Sequence, residues 1–115
     1  MKAIAPGYFF DRAKGLAFAA ALPDGALTMR VNELLFADMA RGYDLRTGLR
    51  QLDRPVLIVQ CHQDPIGHKT AADIHDTIPA SSVEYIRQCG HFPWIEQPEE
   101  FRRILTDFFT SERDR

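Results

Sequence analysis

Several things are scarce in this sequence, and each shortage closes off a class of protein. Cysteine occurs only at Cys61 and Cys89, too few for a disulfide framework, and a chain of 115 residues can form a core without one. Both are read as reduced thiols, and the cytoplasm is the default compartment because the first residues carry no apolar stretch of secretory type. A dominant basic block is missing too. Lys+Arg 14 against Asp+Glu 16 leaves a formal charge of -2, which offers no electrostatic footprint for nucleic acid. No apolar run approaches the ~20 residues needed to cross a bilayer. The longest candidate, Leu16 to Leu22, is short and alanine-rich, and the first residues carry no continuous apolar stretch of secretory type. Neither nucleic acid nor membrane is expected as a partner, and there is no internal repeat.

What is present divides at about residue 52. Before it the sequence predicts helices only. Asp11 can cap a helix to about Leu22, with Leu16, Ala17, Ala20 and Ala21 on one face and Pro23-Asp24-Gly25 as the break. From Ala26 to Arg41 the residues Leu27, Val31, Leu34, Leu35 and Met39 keep helical spacing, and Gly42 follows as a stop. Asp44 offers a cap for a short turn carrying Leu45, Leu49 and Leu52.

After Pro55 the pattern changes. Val56 to Cys61 is a β-rich run without polar alternation, the kind expected where a parallel strand is covered on both faces. Gly67 to Ile78 places Ala71, Ile74 and Ile78 at helical spacing, and Ser82 to Arg87 reads as a second strand, which together make a parallel βαβ unit. Pro98 then opens a terminal helix, with Glu99 and Glu100 in its first turn and Phe101, Ile104, Leu105, Phe108 and Phe109 as a wide core-facing stripe. The fold class is therefore α/β. Two strands of this kind need neighbours, because an open edge exposes unpaired backbone beside apolar side chains. The sequence shows none, so either a further strand escapes the pattern or the piece completes a larger sheet.

Ligands of open α/β sheets gather beyond the carboxyl ends of the strands. The loops leaving those ends are Cys61-His62-Gln63-Asp64-Pro65-Ile66 and Gln88-Cys89-Gly90-His91-Phe92-Pro93-Trp94, so Asp64 and His91 are expected at one rim. A carboxylate accepting from one imidazole nitrogen fixes the tautomer and stabilises the imidazolium formed when the other takes a proton, which suits a general base. Gly90 permits a tight backbone path, and Phe92 to Trp94 would shield the ring from bulk water. Plainer roles fall to the other reactive side chains. Cys61 and Cys89 read as packing, and the set Cys61, His62, Asp64, Cys89, His91 matches no firm zinc spacing, so no metal is expected. His68 and His75 read as solvated. Tyr8, Phe9 and Phe10 either line a pocket or anchor the first helix.

The run Cys89-Gly90-His91-Phe92-Pro93-Trp94-Ile95-Glu96-Gln97-Pro98-Glu99-Glu100-Phe101, with Pro55 to Val59, Asp64-Pro65 and Asp107-Phe108-Phe109, resembles the C-terminal part of an α/β-hydrolase over residues 53–109. The helical segment is similar to the lid of members like the proline iminopeptidases. The resemblance implies a lid (cap) remnant at 1–52 and a βαβα part of the hydrolase core at 53–115. It implies a catalytic triad in the order nucleophile, acid, histidine, with Asp64 as acid and His91 as base. Phe92 and Trp94 are then the candidates for contact with substrate, and Glu96 is expected to tie the histidine loop to the last helix. The implied activity is hydrolysis of an ester, amide, peptide or similar acyl bond in a small molecule or short peptide, with no cofactor. Cys61 stands where family members commonly have glycine. No nucleophile elbow is present, since Ser81, Ser82 and Ser111 lie outside any Gly-x-Ser-x-Gly. The alternative expectation is an inactive truncated fragment or an interaction module, self-associating or pairing its sheet edge with an N-terminal complementing chain.

Overall fold

A computed structural model describes residues 4–25 and 29–113. A 3-10 turn at Ala5–Tyr8, opened by Pro6, leads into α1 (Arg12–Ala21). Asp11 caps α1 as its position predicts, its Oδ1 accepting from the Ala13 and Lys14 amides at 2.8 and 3.1 Å. The buried face is not the predicted one. Gly15 and Ala19 are buried while Leu16 is exposed. The reason is close approach: a Cβ on Gly15 would stand 2.9 Å from Pro6 Cα and 3.2 Å from Phe9 Cβ, so only the small residues of α1 can face the turn.

α2 (Met29–Met39) falls inside the predicted 26–41 helix, and Gly42 ends it in the left-handed region at φ 74°. Of its predicted stripe, Leu27 lies outside the described residues, and Val31, Leu34, Leu35 and Met39 are exposed, as is Phe36. α3 (Arg46–Leu49) is a single turn whose Arg46 amide and guanidinium both donate to Asp44.

The second half is built as the pattern predicts, within a residue or two at the ends. β1 (Val56–Cys61) and β2 (Ser81–Ile86) pair in parallel, in register from Val56↔Ser81 to Cys61↔Ile86. α4 (His68–Thr77) connects them and buries Ala71 and Thr77. α5 (Pro93–Glu96), too short to show a period, precedes α6 (Pro98–Arg113). The core cluster is Cys61, Ile86, Cys89 and Ile104, with Leu57, Val59 and Phe101 packed against it. On α6, Ile104 is buried but Phe109 is exposed. β1 also departs from expectation. Its first four residues are half-buried rather than covered on both faces, because β2 is its sole strand neighbour among the described residues.

Candidate active site

Parallel pairing fixes the geometry of the site before any side chain is considered. Because β1 and β2 run the same way and end on paired residues, Cys61 and Ile86, the loops that follow leave the sheet at one rim and at one level. The His62 amide donates to the Ile86 carbonyl at 2.9 Å, and the Gln63 amide donates to the Cys89 carbonyl at 3.0 Å. Gln63 Oε1 accepts in return from the Cys89 amide at 3.1 Å. The two loops are thus laced together just before Asp64 and His91.

Asp64 divides its carboxylate between two tasks. Oδ1 accepts from the Ile66 amide at 2.9 Å, which shapes its own loop, and Oδ2 stands 2.9 Å from His91 Nδ1. The Asp64 side chain is 13% exposed and the imidazole 35% exposed, so the pair is sheltered on its carboxylate side and open on its ring side. A carboxylate opposite Nδ1 selects the tautomer with hydrogen on that nitrogen and leaves Nε2 as the acceptor. The sequence expectation that these residues meet at one rim agrees with this contact.

Aromatic rings frame the imidazole. Tyr8 and Phe92 approach it edge-on with centroids at 5.5 and 5.2 Å. Phe92 packs in turn with Phe9 and Phe18, centroids at 4.9 and 5.1 Å, in a cluster that joins the histidine loop to α1. Phe9 therefore anchors the first helix, whereas Phe10 is exposed and Tyr8 faces His91. Trp94 does not shield the imidazole as its place in the sequence suggests. It is largely exposed, with its ring against Phe92 and Phe101 at 5.7 and 6.1 Å.

Gly90 has a sharper reason than a tight turn. A Cβ there would collide with the Tyr8 carbonyl oxygen and lie 2.9 Å from Phe9 Cα. Tyr8 O accepts from the His91 amide at 2.6 Å, so only glycine lets this strap lie across the loop. Glu96 also acts differently from expectation. Its side chain reaches back to Gly90 and to Asp11 at the start of α1, rather than into α6. Sequence reasoning missed Gln63, whose amide and side-chain oxygen both bond the Cys89 backbone, and it named Tyr8 without the backbone bond from the His91 amide to its carbonyl, which leaves no residue-type signature.

The remaining reactive groups behave as packing. Cys61 and Cys89 are free and buried, and burial pushes both thiols up from their ordinary value. His75 is exposed, with Nδ1 2.8 Å from Ser81 Oγ, and His68 is exposed, with Nε2 3.0 Å from the His62 carbonyl oxygen. Among the described residues no group of three or more His, Cys, Asp or Glu side chains is arranged to hold a metal ion. Among them no helix is long and apolar enough to cross a membrane.

The sequence profile described as Alpha/beta hydrolase family matches residues 2–104. The chain belongs to the alpha/beta hydrolase family. Among similar members, the proline iminopeptidase of Lactobacillus delbrueckii subsp. lactis is 28% identical over 71 residues, covering 62% of this chain and 24% of that protein. The pimeloyl-[acyl-carrier protein] methyl ester esterase of Nitrosomonas europaea is 36% identical over 59 residues, covering 50% of this chain and 23% of its own length. The chain thus spans about a quarter of the length of these curated relatives. A solved serine hydrolase from Cycloclasticus zankles superposes with a TM-score of 0.75 at 20% identity, covering 99% of this chain and 45% of that one. An alpha/beta hydrolase from the sediment metagenome of the Mar Chica lagoon in Morocco gives 0.61 at 29% identity, over 74% and 39%. The α/β architecture described above is therefore part of an alpha/beta hydrolase fold.

Proposed function

We propose that Asp64 and His91 are the acid and the base of a nucleophile–acid–histidine triad that cleaves an ester, amide, peptide or similar acyl bond. The observation that carries the reading is the 2.9 Å contact between Asp64 Oδ2 and His91 Nδ1 at the carboxyl ends of two parallel strands. With Nδ1 held by the carboxylate, Nε2 takes the proton of an attacking hydroxyl and later returns it to the leaving group, while Asp64 stabilises the imidazolium between the two steps. Residues 53–115 act as the core part and residues 1–52 as a lid remnant, with Phe92 and Trp94 on the substrate side of the histidine loop. None of these steps calls for a cofactor. The similar proteins named above include a proline iminopeptidase and a methyl ester esterase, which fits an acyl substrate of small-molecule or short-peptide size. The two unpaired thiols fit a reducing, cytoplasmic setting.

The nucleophile of this triad comes from polypeptide outside the present sequence. Ser81 and Ser82 begin β2, at the far end of the strands from His91, and Ser111 lies near the end of α6. A second reading, an inactive module that joins its sheet edge to another chain or to itself, is favoured by the uncovered residues of α2 and the half-buried β1.

Hydrolysis of a p-nitrophenyl ester, followed with sedimentation in parallel, separates the readings. The chain alone is expected to be inert, because losing the nucleophile removes several orders of magnitude in rate. Adding the N-terminal portion of a related hydrolase that bears a Gly-x-Ser-x-Gly elbow is expected to produce turnover that His91→Ala abolishes. A stable complex without turnover would favour the non-catalytic module.

A further inference from the structure

Glu96 is 5% exposed, and among the described residues no cation pairs with its carboxylate; Lys14 Nζ donates instead to the Glu96 backbone carbonyl at 3.1 Å. A buried carboxylate in this situation must be satisfied by hydrogen bonds. Two backbone amides do so. Oε2 accepts from Gly90 at 2.6 Å, and Oε1 accepts from Asp11 at 2.9 Å. Gly90 immediately precedes His91, and Asp11 caps α1. One side chain therefore joins the backbone of the histidine loop to the start of the first helix, alongside the His91 amide bond to the Tyr8 carbonyl.

We propose that Glu96 is a positioning residue for His91, clamping Gly90 and Asp11 so that the imidazole stays aligned with Asp64. The inference rests on the reading of His91 as the base. It explains why amide donors rather than a counter-ion meet the carboxylate among the described residues: amide N–H groups are uncharged and their direction is fixed by the backbone, so they hold a loop in one orientation, whereas a flexible ammonium would not. Neutral Glu96→Gln keeps the shape, but it turns an NH2 group toward one of the two amides, donor against donor.

Amide exchange and imidazole NMR on the 15N-labelled 115-residue chain test this. In the unmodified chain the Gly90 amide is expected to exchange as slowly as the strand amides, and His91 to show a single tautomer with its proton on Nδ1. Glu96→Gln is expected to speed Gly90 exchange about ten- to a hundred-fold, as suits loss of a bond to a charged acceptor, and to erase the Nδ1–H signature. Asp11→Ala, which removes the cap of α1 but keeps the Asp11 amide, should leave both signals in place; a loss of the Nδ1–H signature in that variant equal to the loss in Glu96→Gln would overturn the proposal. A folded Glu96→Gln chain with unchanged His91 signals would also overturn it. So would Gly90 exchange at exposed-loop rates in the unmodified chain, a measurement that stands even if the variant does not fold. Asp64→Asn separates the two readings. If the Nδ1–H signature survives that change, the acid–base pairing fails, while Gly90 protection still reports on the clamp.

Discussion

α2 and α6 carry similar apolar spacing and meet opposite fates. On α6 the stripe meets the sheet, with Ile104 buried against Cys61, Ile86 and Cys89. On α2 the residues Val31, Leu34, Leu35, Phe36 and Met39 are all exposed. A helical period says that a face needs cover, and it is silent about which polypeptide supplies that cover. The βαβ half closes a small core from its own residues, whereas the described part of 29–52 leaves its large apolar side chains exposed.

That contrast can be broken or sharpened by experiment. The largest effect belongs to the strand-end pair. In the complemented enzyme, Asp64→Asn is expected to lower kcat by on the order of 10⁴, the loss typical of a histidine left in the wrong tautomer, whereas Leu34→Ala on α2 should leave the chemical step unchanged. Steady-state kinetics compares the two. Stability comes next. Ile86→Ala should cost about 2–5 kcal/mol by removing a fully buried side chain, and Leu34→Ala no more than about 0.5 kcal/mol in the chain alone; urea denaturation reads both. If Leu34→Ala costs as much as Ile86→Ala, the two halves share one core and the contrast is false.

Smaller effects follow. Asp11→Ala is expected to cost about 1 kcal/mol through loss of the α1 cap, a change visible in the same denaturation curves. The buried thiols make the βαβ half sensitive to alkali. Their folded values are raised above the ordinary 9.0, so the unfolded chain releases protons first. The stability they contribute is complete below about pH 9 and declines as the pH climbs from there toward the folded values. A Cys61→Ala, Cys89→Ala double variant should show a flatter dependence of the denaturation midpoint between about pH 8 and pH 10.5, the window set by the ordinary thiol value.

Much of the second half was legible because its signals are local. A β-rich run, a proline-opened amphipathic helix and a glycine-preceded histidine each announce themselves within a few residues. Asp64 and His91 were legible as a pair because parallel strands send their following loops to one rim. The first helix was harder. Its predicted apolar stripe looks outward, and its buried face is made of Gly15 and Ala19, chosen for smallness where Pro6 and Phe9 approach. The strap at Tyr8 was invisible for a related reason: a backbone carbonyl under the His91 amide places no demand on residue type. Gln63 was hidden by distance, since the Cys89 amide that its side chain meets lies 26 residues further on. Glu96 was visible as a tie, but its direction was not, since the donors it meets lie six residues and 85 residues back in the chain.

The split duties of Asp64 bear on how this loop can change over generations. One oxygen grips Ile66 two positions ahead and the other grips the ring, so the side chain works as a rigid bracket with no room to swivel. Lengthening the loop between Asp64 and Ile66 would pull the bracket apart, whereas added residues beyond Gly67, where the backbone already turns at φ 83°, would leave it whole. Added length is therefore expected to be tolerated better on the side facing α4 than between Asp64 and Ile66.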